Sequence, residues 1–135
     1  MAERYFTAEE ANEALATVRP LAEKLVAHRR ALREAQERRA ELVRSIAGNG
    51  GALDARRVAA LAAQVNREAE AVARSVIQIQ ELGVLVKDLD RGLVDFPALR
   101  GEEEEVLLCW EVGEDEVGYW HGLEEGFAGR RPLPL

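Results

Sequence analysis

Apolar residues recur along the first third of the chain in steps of three and four: Val18, Leu21, Leu25, Leu32, Ala35, Leu42 and Ile46, with His28 and Arg39 on the same stripe. This heptad-like spacing predicts one long amphipathic helix. Thr7 followed three residues later by Glu10 marks its start, because each side chain can satisfy the other's backbone N–H, and Phe6 and Ala11 stand at the flanking apolar positions. Pro20 predicts a kink or a local break. Gly48-Asn49-Gly50-Gly51 predicts the end of the helix and a tight turn. A second stripe reads Val58, Leu61, Val65, Glu68 or Ala69, Val72, Val76, Ile79 and Leu82, with a cap near Asp54 and Gly83 just past the end. The short connection makes the helices antiparallel, with paired positions summing to about 101. At 1.5 Å per residue the first helix is about 60 Å long and the second about 40 Å. Residues 7–18 therefore have no partner in the second helix and are expected to pack on the C-terminal part.

After Gly83 the period shortens to two. Residues 84–88 read as a strand, Asp90-Arg91-Gly92 as a turn and residues 93–96 as a returning strand closed by Pro97. A charged loop at residues 100–105 leads to a third strand at 106–112, a turn at Gly113-Glu114 and a fourth extended piece at 117–121, before an ordered loop at 126–134. The expected fold class is α+β: a long antiparallel helical hairpin (7–82, kinked first helix) with a small antiparallel β unit of three to four strands (84–132) packed on its base. Both are assigned to one domain spanning residues 1–135.

Composition adds limits. The chain has 135 residues, 47% of them hydrophobic, enough for a single core. No apolar run approaches the roughly 18 residues of a membrane span, and the charged start has no leader-like apolar stretch, so the expected location is cytoplasmic, with no membrane partner. Cys109 is the lone cysteine and sits in the apolar run 106–110, which reads as a buried, reduced thiol. Residues 27–75 hold ten Arg and six acids, whereas residues 76–135 hold five basic and fourteen acidic groups. The hairpin tip is thus basic and its base acidic. Nucleic acid is disfavoured as a partner all the same, because Glu34, Glu37 and Glu41 interleave the arginines, no aromatic lies among them and the net charge is −7. Surface ion pairs such as Glu34 with Arg38 account for the pattern. Ala59, Ala60, Ala62, Ala63, Ala69, Ala71 and Ala73 permit close approach on several sides of the second helix, and two helices alone bury little. A homodimer in which two hairpins form a four-helix bundle is the expected assembly, with an unidentified protein partner as a further option.

Candidate chemistry gathers in the C-terminal half. Asp88 and Asp95 flank one hairpin, and with His121 they form a candidate set for a divalent metal; the same three with Glu114 are candidates for general acid and base work. Pairing about Asp90-Arg91 sets Asp88 opposite Leu93. Trp110, Tyr119, Trp120 and Phe127 fall within eighteen residues and could line a cleft, with Trp110, Trp120 and Phe127 as ligand contacts and Arg130 as an anion clamp. The competing reading makes the aromatics the core of a small β unit and the charged groups turn caps and ion pairs. His28 reads as a partly solvated seam residue. Phosphate-loop and serine-nucleophile motifs are absent. No cofactor is required by any of these patterns beyond the optional divalent metal.

Phe6-Thr7 with Glu10-Ala11-Asn12, Leu82-Gly83-Val84 with Lys87-Asp88, and residues 92–97 resemble the bacterial family called domain of unknown function 2203. Leu108-Cys109-Trp110, Gly113-Glu114, Trp120-His121 and residues 126–130 extend the resemblance over nearly the whole chain. It implies long helices plus a small β unit, and it brings no activity. The leading expectation is a non-enzymatic interaction or scaffold module dimerising through the hairpin. The alternative is a small metal- or anion-dependent enzyme, or a ligand-binding protein, with its site in the β segment.

Overall fold

The computed structural model describes residues 2–49 and 55–135. Two helices, α1 (Ala8–Asn49) and α2 (Ala55–Glu81), are followed by five strands: β1 (Leu85–Asp88), β2 (Leu93–Arg100), β3 (Glu104–Glu111), β4 (Tyr119–Gly122) and β5 (Arg131–Pro132). The strands form one antiparallel sheet in the order β1-β2-β3-β4-β5. The fold is the expected α+β hairpin with a sheet, with five strands in place of three to four. The extra strand is the two-residue β5, which the sequence disguises as tail because so short a strand has no periodicity.

The start of α1 is built as its residues dictate. Thr7 N–H donates to Glu10 Oε1 at 2.9 Å and Glu10 N–H to Thr7 Oγ1 at 3.0 Å. Pro20 does not break α1, which runs on through it; Pro20 lies on the exposed side. The turn at Gly50-Gly51 and the cap at Asp54 lie outside the described residues. Gly83 ends α2 with φ +83°, its N–H donating to Gln80 O at 2.9 Å, as a C-terminal glycine should.

Helices and sheet share one core. Leu15, Val18, Ala22 and Leu25 of α1 and Ile79 of α2 are buried with Val94, Phe96, Ala98, Val106, Leu108, Trp110 and Trp120 of the sheet. The early part of α1, unpartnered in α2, is fastened by polar bonds to the connection between β3 and β4. Asn12 accepts from Val117 N–H at 2.8 Å and donates to Val117 O at 3.2 Å, and Arg19 donates to the carbonyls of Glu114 (3.0 Å) and Asp115 (2.6 Å).

Several boundaries in the sheet differ from expectation; β4, for one, runs from Tyr119 to Gly122 and not over 117–121. Pro97 does not close β2, which continues to Arg100. The Pro97 carbonyl accepts from Phe6 N–H at 2.7 Å, so its backbone points to the side on which β1 has already ended, opposite Asp95. A missing N–H there removes no ladder bond to β3. Glu104 and Glu105 belong to β3 and not to a loop, with Glu104 opposite Arg100. Gly92 is required at the β1–β2 turn: its φ is +64°, and a Cβ there would stand 2.5 Å from Val112 Cγ2 and 2.8 Å from Val26 Cγ2.

Candidate functional site

The sheet has two unlike faces because side chains alternate along each strand. Val94, Phe96, Ala98, Val106, Leu108, Trp110 and Trp120 face the helices. Asp95, Cys109, Tyr119 and His121 occupy the alternate positions and fall on the outer face. Asp95 is directly opposite Cys109 across β2 and β3, while Cys109 opposes Tyr119 and Leu107 opposes His121 across β3 and β4.

Asp95, Cys109 and His121 converge there, with one donor atom from each lying within 4.8 Å of the others. They are 2%, 0% and 3% exposed. His121 Nδ1 lies 2.8 Å from Gly122 O, a group that only accepts, so Nδ1 carries a proton. His121 Nε2 lies 3.2 Å from Asp95 Oδ1. Two bare acceptors at that distance would repel, so in the absence of a cation one proton is shared between ring and carboxyl. Burial raises the Asp95 pKa above the usual carboxylate range, against the opposing pull of His121, Lys87 and the Cys109 thiol. Burial also pushes the Cys109 thiol up to about 12, reinforced by the Asp95 charge. At that value Cys109 is protonated at neutral pH and is no nucleophile.

The other candidates stand elsewhere. Asp88 lies opposite Leu93, as the turn geometry predicts, and its Oδ1 accepts from Asp90 N–H (2.9 Å) and Arg91 N–H (3.1 Å). It caps the turn and is not part of the Asp95–His121 group. Glu114 accepts two bonds from Arg130 Nη2, at 2.7 and 2.8 Å, and one from Glu111 N–H at 2.8 Å. The anion held by Arg130 is thus the chain's own Glu114. The guanidinium is also stacked on Tyr119 and Phe127, at 4.1 and 4.5 Å from the ring centres.

The aromatic residues divide between the faces. Trp110 and Trp120 belong to the core, Trp110 Nε1 donating to Glu114 O at 3.0 Å, while Tyr119 and Phe127 flank Arg130. Trp120 is bracketed by Arg100 and Arg131 at 5.0 and 4.7 Å. His28 is 40% exposed in its side chain, with Nδ1 2.7 Å from Glu68 Oε2, a partly solvated seam residue bridging α1 and α2.

Sequence reasoning paired Asp88 with Asp95 and His121 and left Cys109 out. The signal that could have found Cys109 was strand parity: 95, 109 and 121 are all odd positions on strands whose even positions carry the apolar core.

On the hairpin, no residue beyond Ala35 in α1 or before Val65 in α2 is buried among the described residues; Leu42, Ile46, Val58 and Leu61 are half-buried and Val43 is 48% exposed. An open groove on this segment is lined by Arg38, Glu41, Leu42, Arg57, Ala60 and Leu61. No helix among the described residues is long and apolar enough to cross a membrane.

A family model described as "Uncharacterized conserved protein (DUF2203)" matches residues 4–133. No curated protein and no solved structure matches the chain.

Proposed function

The chain belongs to the DUF2203 family, a membership that supplies no activity, and from its geometry we propose a non-enzymatic interaction module that self-associates through the far half of the helical hairpin. One observation carries this reading: the polar side chains best suited to catalysis are already committed to partners within the chain. Asp88 is spent on its turn, Glu114 and Arg130 on each other, and Asp95 and His121 are buried beneath the outer sheet surface. A general acid or base must reach a substrate proton, and none of these groups meets that need as placed.

The far hairpin is the complementary case, with surface that lacks intrachain cover. The half-buried seam of Leu42, Ile46, Val58 and Leu61 supports a second hairpin as the missing layer, since two helices bury only part of an apolar seam. Sedimentation equilibrium at micromolar concentration should return twice the 14.9 kDa chain mass. Ala60→Glu, a charge placed on an exposed groove position, should shift the mass to that of one chain while leaving the sheet intact. A monomer mass for the unaltered chain at that concentration rules the reading out.

A further inference from the structure

Asp95, Cys109 and His121 are three different metal-ligand chemistries brought to one buried point by three neighbouring strands. We infer that this point is a structural site for a zinc-like divalent cation, held by a carboxylate oxygen of Asp95, the sulfur of Cys109 and His121 Nε2. It is independent of self-association through the hairpin, and either proposal can fail alone.

The donor set suits such an ion. On binding, the ion displaces to solvent the Cys109 thiol proton and the proton shared by Asp95 and His121; the resulting thiolate and carboxylate cancel a charge of two, the imidazole is neutral, and mixed sulfur, nitrogen and oxygen ligands suit zinc better than calcium or magnesium. Distances agree as well. Donors about 2.0–2.3 Å from a tetrahedral centre stand roughly 3.3–3.6 Å from one another. His121 Nε2 and Asp95 Oδ1 are 3.2 Å apart, and the whole set spans no more than 4.8 Å, so the sulfur has at most a small movement to make.

The hydrogen bond that orients the histidine is already in place. The bond from His121 Nδ1 to Gly122 O at 2.8 Å leaves the lone pair on Nε2, where a metal needs it; a backbone carbonyl often plays this part behind a metal-bound histidine. Burial disfavours the ionised forms of Asp95 and Cys109, and the charges of Lys87 and Arg130 offset this only in part. They also oppose an incoming cation, but Arg130 is offset by its two bonds to Glu114. The set offers three protein donors where structural zinc sites usually have four; the burial of all three is what points to a structural role. With every ligand side chain buried on a strand, the ion's work is to pin β2, β3 and β4 together.

The competing arrangement is a cation-free cluster in which the thiol donates to Asp95 and one proton is shared between Asp95 and His121. Titration of the chelator-treated full chain with Co²⁺ separates the two. The metal site requires one cobalt per chain, thiolate-to-metal charge-transfer absorption in the near ultraviolet and visible bands of tetrahedral cobalt. Zn²⁺ should displace the cobalt and raise the unfolding temperature. Cys109→Ser should abolish the charge-transfer band, and His121→Gln should weaken binding at least about tenfold. Asp88→Asn, at the turn, should leave both unchanged. Absence of the band together with a zinc-independent unfolding temperature in the unaltered chain overturns the site, whether or not the variants fold. A band undiminished in Cys109→Ser would overturn it equally.

Discussion

The two halves of the helical hairpin are made of similar residues and have different fates. Near the base, between residues 8 and 35 of α1 and 65 and 81 of α2, the apolar stripe is buried in a core that it shares with the sheet. Farther out the same periodicity continues through Leu42, Ile46, Val58 and Leu61, yet none of these is buried. The difference lies in the number of layers. A helix pair closes its seam on one side only, and a third layer is needed to exclude water from the rest. The base has that layer within the chain. Among the described residues the tip has no such layer, and this is the asymmetry on which the proposed self-association rests.

The largest effects expected from single substitutions lie at the base. Trp110→Ala, which empties a fully buried site in the shared core, should cost about 3–5 kcal/mol in denaturant unfolding. Leu42→Ala at the tip should fall below about 2 kcal/mol under conditions where the chain is monomeric. Equal losses would break the contrast. Gly92→Ala comes next, at about 1–3 kcal/mol, since its positive φ and the close Val112 and Val26 methyls both oppose a side chain; a shift in the unfolding midpoint measures it.

The smallest effect concerns the start of α1. Thr7→Ala should cost about 0.5–2 kcal/mol at neutral pH through the lost cap. The Glu10 pKa is lowered, chiefly by its bond from Thr7 N–H and then by the Thr7 hydroxyl. A lowered carboxyl stabilises the fold above its unfolded value of 4.5, and that contribution is lost as pH falls through the still lower folded value. The cost of Thr7→Ala should therefore shrink when unfolding is measured below that range. A cost independent of pH would show that the Thr7 hydroxyl does not act on the Glu10 carboxylate, whose bond from the residue 7 N–H the variant keeps.

Much of this architecture is legible in the sequence, because its causes are local. The reciprocal Thr7–Glu10 cap, the left-handed Gly83 at the end of α2, the change from a 3.6 to a two-residue period and the pairing of Asp88 with Leu93 each depend on a few consecutive residues. Pro97 misled for the same reason. Local chemistry says that proline ends a strand, whereas here the neighbouring strand had already stopped and Phe6, distant in sequence, supplied the bond.

The candidate site was legible only in fragments. Asp95 and His121 were recognisable as chemistry, but Asp88 was grouped with them and Cys109 was set aside as core. Residue type and hairpin spacing determine which groups are available and which turns they cap. Which groups meet depends on the register of β2, β3 and β4, and that register is set by packing Val94, Phe96, Leu108 and Trp120 against the helices. By itself the sequence determined a helical hairpin feeding an antiparallel sheet. The tertiary structure alone decided that Asp95, Cys109 and His121 share one buried point, because a slip of one residue would have turned each to the opposite face.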